Sequence, residues 1–214
     1  MRIAIVNETS SADKNQDILN ALEGFEHEVF NIGMKKSGEA PELSYIETGF
    51  LASLVLNTGY VDFVVGGCGT GQGFLNSVVQ YPNVSAGLIT EPLDAWLFVQ
   101  INGGNCISLA LNKGWGWAGE TTLLFIFEKL FSVEWGIGYP EHRKAAQKIS
   151  REKLKQVSEI THYTFAEIIE RMDPQIVNNA IGHPNFSIAL EEILHKDCAV
   201  SRALKQKRTE HTKL

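Results

Sequence analysis

The sequence has few cysteines and no long hydrophobic run. It has three cysteines in 214 residues, an odd number without the spacing of a metal site, which is typical of reduced thiols in a cytoplasm: Cys68, Cys106 and Cys198. No apolar stretch approaches the ~20 residues that span a bilayer. The first segment turns polar at Asn7, so it predicts a strand and not a signal peptide. We therefore expect a cytoplasmic chain without membrane association.

Basic charge and metal-binding patterns are also scarce. The net charge of −6 and the pI near 5.5 argue against nucleic-acid binding. Residues 196–214 carry six Lys/Arg against two acidic residues, and the expectation for this basic segment is a solvated, frayed terminus. The six histidines show neither H-x-x-x-H nor H-E-x-x-H spacing, so no metal site is expected.

Strand-like and helix-like segments alternate through the first two thirds of the chain. Short β-rich runs occur at 2–6, 28–32, 61–65, 83–89 and 105–111, and apolar helical patterns separate them. This order predicts an α/β, Rossmann-like three-layer sandwich with a five-stranded, mostly parallel sheet. Residues 1–149 would form this core, and residues 150–214, which lack a strand pattern, would form a helical C-terminal extension that packs on a neighbouring subunit.

A glycine-rich loop follows the third predicted strand, at the edge where open α/β sheets bind ligands. It reads Cys-Gly-Thr-Gly-Gln-Gly over 68–73 and fits neither G-x-G-x-x-G nor the G-x-x-x-x-G-K-[ST] phosphate loop. A nucleotide-binding Rossmann module is therefore disfavoured. Two interpretations of Cys68 stay open on spacing alone: a proton-transfer base in a nest of N–H groups, or a small buried residue in a tight turn. Cys106 falls inside a strand and is expected to be inert.

The loop and the segments that follow it resemble a known family. Together with Asn-Val-Ser-Ala at 83–86, Glu-Pro-Leu-Asp-Ala at 91–95 and Gln-Ile-Asn-Gly-Gly-Asn at 100–105, it is similar to the ribose-5-phosphate isomerase B and galactose-6-phosphate isomerase family over about residues 1–149. The resemblance implies a homodimer or homotetramer with sites between subunits, no cofactor, and aldose–ketose isomerisation of a phosphorylated sugar through a cis-enediolate.

The resemblance also implies roles for individual residues. Cys68 matches the proton-shuttling cysteine, and Asn102 matches an asparagine that contacts the substrate. Thr70 and the amides of the loop glycines match the groups that hold the enediolate oxygens. Tyr45 lies near a family tyrosine at the mouth of the site. The loop glycines are Gly69, Gly71 and Gly73.

Three departures from the family pattern accompany these matches. Asn7 and Glu8 stand where the family has Asp-His, and Ile101 stands where a histidine opens the sugar ring. Isoleucine transfers no proton. The phosphate-binding arginines have only approximate counterparts, which are Arg143, Lys144 and Lys113, and lysine lacks the bidentate geometry of arginine.

These departures favour a substrate that needs no ring opening. A sugar phosphate that stays open-chain has its carbonyl available without acid or base help, so the loss at Ile101 would not impair its isomerisation. Glu8 or His142 taking over the lost step is a second interpretation. A catalytically silent subunit that binds a sugar phosphate, or serves as partner to an active isomerase, is a third. The intact Cys68 and Thr70 favour the active enzyme.

Overall fold

The structure, a computed structural model, describes residues 1–211 and the side chains of residues 1–208. Five parallel strands form one sheet in the order β2-β1-β3-β5-β4. Their bounds are β1 Arg2–Asn7, β2 Glu28–Asn31, β3 Phe63–Cys68, β4 Ala86–Ile89 and β5 Cys106–Ala110. The α/β fold and the five-stranded sheet predicted from the sequence are confirmed, and all neighbouring strands are parallel.

Helices cover both faces of the sheet because each crossover between parallel strands needs one. One face packs α1 Asn15–Leu22, α4 Pro92–Leu97 and α5 Gly119–Leu130, and the other packs α2 Tyr45–Asn57 and α3 Gln72–Val78. A 3-10 turn over Thr9–Lys14 precedes α1, and a π-helical turn over Phe98–Asn102 follows α4. Helix α2 begins at Tyr45, because Ser44 and Glu47 form a capping box there.

The C-terminal extension consists of helices only, as its missing strand pattern predicts. After a 3-10 turn over Glu141–Arg143 come α6 Lys144–Thr161, α7 Phe165–Arg171, α8 Pro174–Ile181, a 3-10 turn over Pro184–Phe186, α9 Ser187–His195 and α10 Ala199–His211. The predicted boundary between 149 and 150 stays a prediction, and α6 runs across it.

Most of the extension packs on its own chain and adds a fourth layer. Phe165 stacks on Phe50 of α2 with ring centroids 5.6 Å apart, and side chains from α7 to α10 share one hydrophobic cluster with α2. Every residue of α2 from Thr48 to Val55 is buried, since the sheet covers one side and the extension the other. Helix α6 is the exception, because none of its residues is buried.

The expectation of a frayed basic terminus is wrong for the described part of 196–214. Ala203 and Leu204 of α10 are buried in the cluster of the extension, and the hydroxyl of Ser201 donates to the Ile193 carbonyl. Buried Lys207 donates from Nζ to the Glu170 carbonyl. The prediction of a solvated terminus was based on the positive charges of this segment. The small and apolar residues between those charges form the face that packs. Residues 212–214 lie outside the described residues.

Candidate active site

The candidate site lies where the strand order reverses. From β1 the chain moves to β2 on one side, and β3 then pairs on the other side of β1, so the loops after β1 and β3 diverge to opposite faces. Open α/β sheets bind ligands in the crevice that such a reversal leaves at the carboxyl ends of the strands. Asn7 ends β1 opposite Gly67, and Cys68 ends β3 beside it. The predicted chemistry-bearing residues therefore meet at this carboxyl edge.

The glycine loop forms a tight turn that presents Cys68 and Thr70. The Cys68 side chain is 6% exposed, and its Sγ lies 4.0 Å from Thr70 Oγ1. Its carbonyl accepts from the N–H groups of Gly71 at 3.2 Å and Leu111 at 3.0 Å, which binds the turn to the end of β5. Gly71 has φ +75°, a conformation that L side chains rarely adopt, and it begins α3.

A relay from the β1 loop holds the glycine loop in place. The Ser10 Oγ accepts from the Gly69 N–H at 2.9 Å, while the Ser10 hydroxyl donates to the Glu8 carboxylate. That carboxylate also accepts from the Ser10 N–H at 3.1 Å, and the Asn112 amide donates to the Ser10 carbonyl at 2.7 Å. Sequence reasoning missed Ser10, because contacts that span about sixty residues leave no local pattern.

This arrangement changes which amides can face a substrate. The Gly69 N–H is bonded to Ser10 and the Gly71 N–H to the Cys68 carbonyl, so both belong to the turn itself. Within the described part of the chain, the N–H groups of Thr70 and Gly73 have no acceptor. The Thr70 side chain is exposed, and its Oγ1 accepts from the Gln72 N–H at 3.3 Å beside the Cys68 thiol. Two amides and one hydroxyl are thus available to a ligand beside the Cys68 thiol.

Asn7, Glu8 and Tyr45 lie around the same crevice. Asn7 is fully buried, and neither its side-chain oxygen nor its nitrogen has a partner in the described structure. Glu8 is 4% exposed. The Tyr45 ring is about half-exposed and covers Gly73, where an added Cβ would lie 2.9 Å from Tyr45 Cδ1. The unpartnered Asn7 amide is suited to a ligand that offers both a donor and an acceptor.

Lys113 also belongs to this edge. Its N–H donates to the Gly69 carbonyl at 3.1 Å, and its exposed side chain lines a small cavity beyond the ends of β4 and β5 with Thr90, Ala110 and Trp115. A second cation, Lys14, stands 5.0 Å from the centre of the Trp115 ring.

The remaining predicted residues lie at the opposite, amino edge of the sheet. Asn102 ends the π-helical turn that leads into β5, and the register places Cys106 of β5 beside Val64, four residues before Cys68. At ~3.3 Å per strand residue, the start of β5 is therefore about 13 Å from Cys68 along the sheet. Arg151 of α6 holds the turn by donating to the carbonyls of Ile101 at 2.9 Å and Gly136 at 2.7 Å.

Arg143 and Lys144 stand at the start of α6, at this same amino edge. Lys144 pairs with Glu141 at 2.6 Å, and both cations have solvent-accessible side chains. Within one protomer the structure therefore does not bring Asn102, Arg143 or Lys144 to Cys68.

Cys106 and the possible metal ligands of the described residues show no comparable setting. Cys106 is fully buried in β5, as predicted, and burial raises the pKa of its thiol far above the ordinary value. In the described residues, no three His, Cys, Asp or Glu side chains lie close enough to hold a metal ion. No described helix is both long and apolar enough to cross a membrane.

Comparisons with known proteins agree with this fold. A family model described as Ribose/Galactose Isomerase matches residues 3–149. The structure titled ribose-5-phosphate isomerase LacAB_rpiB from Vibrio parahaemolyticus is 40% identical, with 98% of each chain covered and a TM-score of 0.88. A structure titled 4-deoxy-L-threo-5-hexosulose-uronate ketol-isomerase, complexed with a tartrate, is 32% identical, with 100% of each chain covered and a TM-score of 0.88. No significant match was found among curated protein sequences.

Shorter relatives match about three quarters of this chain. The ribose-5-phosphate isomerase B of Clostridium thermocellum is 18% identical, has a TM-score of 0.63, and is covered over 100% of its length by 76% of this chain. At 18% identity this similarity shows a shared fold alone. The longer relatives are sugar isomerases, which supports an enzyme that isomerises sugars. From the family match over most of the chain and the identity to full-length relatives, this chain belongs to the ribose/galactose isomerase family.

Proposed function

We propose that the protein interconverts an open-chain, anionic aldose and its ketose, with Cys68 as the base. The observation that carries this is the nearly buried thiol at the strand-order reversal, flanked by the Thr70 hydroxyl and two amides without acceptors. As thiolate, Cys68 takes the proton from carbon 2, the electron pair forms the C1–C2 double bond, and the carbonyl oxygen becomes an enediolate oxygen. The hydroxyl proton on oxygen 2 passes to oxygen 1, and Cys68 returns its proton to carbon 1.

The surrounding groups lower the energy of the enediolate. Donors aimed at an oxygen that gains charge stabilise the transition state more than the ground state. The Thr70 hydroxyl and the N–H groups of Thr70 and Gly73 supply such donors, and the α3 terminus adds a favourable dipole. The Ser10 relay fixes the loop beforehand, so the donors need little reorganisation during the reaction.

The open-chain substrate follows from Ile101 and from one relative. In 4-deoxy-5-hexosulose-uronate, carbon 4 has no hydroxyl and carbon 5 is a carbonyl, so neither of the usual ring oxygens can close on the aldehyde at carbon 1. Such a substrate needs no ring-opening residue. We therefore infer that an acyclic uronate of this class is the substrate, and that its carboxylate occupies the place of a phosphate.

Ribose 5-phosphate is the second candidate, favoured by the 40% identity to the ribose-5-phosphate isomerase of Vibrio parahaemolyticus. This substrate closes into a furanose ring and needs an acid or base to open it. Glu8 is linked to the glycine loop through Ser10, and only one of its two carboxylate oxygens accepts from Ser10, so the other is left for that purpose.

Two copies of the chain are needed to complete the proposed site. Asn102, Arg143 and Lys144 lie at the amino edge, so they reach a substrate at Cys68 only from a second protomer. Helix α6, which presents Ile149, Leu154, Val157 and Ile160 to solvent, offers the apolar face for that contact. We propose a homodimer in which the cations of one copy, with Lys113 of the other, bind the anionic end of the sugar.

Solvent proton exchange tests the reaction and the base together. The uronate and four-, five- and six-carbon sugar phosphates are incubated in D2O with wild type, Cys68→Ala and Cys106→Ala, and deuterium next to the carbonyl is followed by NMR. We expect exchange with the uronate, its loss in Cys68→Ala by at least ~10³-fold, and its retention in Cys106→Ala. Exchange confined to ribose 5-phosphate would select the second candidate. No exchange with any sugar would favour a silent binding or partner subunit.

A further inference from the structure

The loop between β2 and α2, residues 33–44, forms one wall of the candidate site. Its first residues lie against Asn7: the Met34 N–H donates to the Asn7 carbonyl at 2.9 Å, and a Cβ added to Gly33 would lie 2.4 Å from the Asn7 nitrogen. Its last residue but one, Leu43, accepts from the Thr9 N–H at 2.9 Å. The loop then leads into Tyr45, so its conformation sets both Asn7 and Tyr45.

The C-terminal extension clamps this loop from outside. The Asn185 side-chain amide donates to the Gly33 carbonyl at 2.9 Å and to the Glu39 carboxylate at 3.1 Å. The same Glu39 oxygen accepts from the Lys35 N–H at 2.8 Å, which closes the loop on itself. One side chain, about 150 positions away in sequence, thus joins the beginning and the middle of the loop.

The turn that carries Asn185 is itself fixed. The buried His183 accepts from the Asn185 N–H at its Nδ1, at 3.3 Å, and so caps the 3-10 turn. Phe186, fully buried, packs in the same hydrophobic cluster as Met34 of the loop. Asn185 is therefore held on a rigid base, and the loop takes its position from that base.

We propose that Asn185 is a positioning residue for the sugar site, through which the extension holds loop 33–44 in the substrate-binding conformation. Asn185 touches no predicted substrate group, and it acts through Gly33 and Glu39 on Asn7 and Tyr45. Shorter relatives whose whole length matches about three quarters of this chain have the core fold, so the extension serves something other than formation of the sheet. The effect on catalysis rests on the proposed function, whereas the hold of Asn185 on loop 33–44 does not.

The expected kinetic effect separates positioning from general destabilisation. If Asn185→Ala leaves the loop competent for only a tenth of the time, apparent affinity falls by that fraction. We expect KM for the uronate, or for ribose 5-phosphate if that is the sugar turned over, to rise about tenfold while kcat stays within about twofold. A variant that merely unfolds more would lose kcat with KM unchanged.

A negative charge introduced at position 185 sharpens the test. Asn185→Asp removes both donors and places a carboxylate against Glu39, so its KM should exceed that of Asn185→Ala. Adding Glu39→Gln supplies a donor to that carboxylate and keeps an acceptor for the Lys35 N–H. The double variant should therefore recover at least threefold in KM over Asn185→Asp, which a purely local folding defect would not do.

Hydrogen exchange gives a readout independent of turnover. Asn185→Ala should speed amide exchange in residues 33–44 by about tenfold and leave β3 unchanged. Asn179→Ala is the matched control, since Asn179 is a half-buried amide on α8 without a hydrogen bond to the loop. Unchanged exchange in the loop, or a loss of kcat at constant KM, overturns the proposal. If wild type turns over neither sugar, the proposed function fails. Hydrogen exchange in residues 33–44 alone then decides whether Asn185 holds the loop.

Discussion

The two edges of the sheet differ in what they offer a substrate. The carboxyl edge has the thiol, the Thr70 hydroxyl and the amides without acceptors, all fixed by the Ser10 relay. The amino edge has Asn102, with the exposed Arg143 and the partly exposed Lys144 beside it, but no thiol that reaches solvent, because Cys106 is buried there. In the proposed function, the carboxyl edge moves the proton, and the amino edge orients the substrate and neutralises its anionic group.

In the proposed function, the site is distributed over both edges of the sheet and not gathered in one loop. Parallel strands place the loops that precede them at one edge and the loops that follow them at the other. Asn102 precedes β5 and Cys68 ends β3, so the two residues lie at opposite edges of one protomer. A site that uses Cys68 with Asn102 must therefore be shared between copies. The following predictions test that sharing, and then the contacts that shape each edge.

The largest effect is expected from mixing two inactive variants. Cys68→Ala should lower kcat by at least ~10³-fold and Asn102→Ala by about 10²-fold, since one removes the base and the other an orienting group. Co-expressed chains of the two variants form mixed dimers, in which one of the two sites takes its Cys68 and its Asn102 from unaltered edges. Activity should return to about a quarter of wild type, measured by the D2O exchange rate.

The control for this mixture is a chain that carries both substitutions together with wild type. In that mixture every mixed dimer has both of its sites damaged once, so only pure wild-type dimers remain active. Two affinity tags verify that mixed dimers of the single variants have formed. If these dimers show no recovery of activity, either Cys68 and Asn102 of one site belong to the same protomer, or the two residues do not act in the same site.

The carboxyl edge should depend on Ser10. Ser10→Ala takes the acceptor from the Gly69 N–H and the donor from the Glu8 carboxylate, so the glycine loop loses its fixed position. We expect kcat to fall about tenfold, with the melting temperature lowered by only a few degrees. Ser85→Ala is the matched serine at the amino edge, and its kcat should stay at the wild-type value. Equal losses from both serines would contradict a special role for the relay.

The binding of substrate at the amino edge should depend on Arg151, with a smaller effect than that of Ser10 at the carboxyl edge. Its guanidinium donates to two carbonyls at once and so fixes the turn that presents Asn102. Arg151→Met should raise KM about fivefold, and Arg151→Lys, which keeps the charge but not the fork, should lie in between. The exposed Lys148 on the same helix provides the control variant Lys148→Met. A kcat loss in Arg151→Met at unchanged KM would argue against an orienting role.

Much of the carboxyl edge could be predicted from the sequence, because its signals are local. The β-rich run that ends in Gly-Gly-Cys-Gly-Thr-Gly predicts both the third strand and the loop at its end, and the structure has β3 ending at Cys68. The separation of Asn102 from Cys68 follows from the same strand order, since Asn102 precedes a strand and Cys68 ends one.

The rest depends on contacts that no local pattern records. Ser10 and Asn185 act across about 60 and 150 positions, and nothing in their neighbourhoods marks them as partners of Gly69 and Gly33. Helix α10 was missed for a different reason: the charges of its exposed face outnumber the few small and apolar residues that pack. Tertiary packing, and not helix propensity, decides such a segment.

The smallest effect concerns the histidine beneath Asn185. Burial, with Lys35 nearby, lowers the pKa of His183 below its usual value near 6.5, and Glu39 only partly opposes this. As pH falls through about 6.5, the unfolded chain binds a proton that the folded chain does not, so stability is full above that pH and declines below it. His183→Asn keeps a capping oxygen for the Asn185 N–H and removes the titration.

Between pH 7.5 and 5.5, the melting temperature of wild type should therefore fall by about 2–4 °C more than that of His183→Asn. The exposed His195 serves as the control: His195→Asn should track wild type across the same range. A wild-type curve parallel to that of His183→Asn would mean that protonated His183 is accommodated in the fold, for example by Glu39. In that case the turn that carries Asn185 would hold loop 33–44 equally well in acid and at neutral pH.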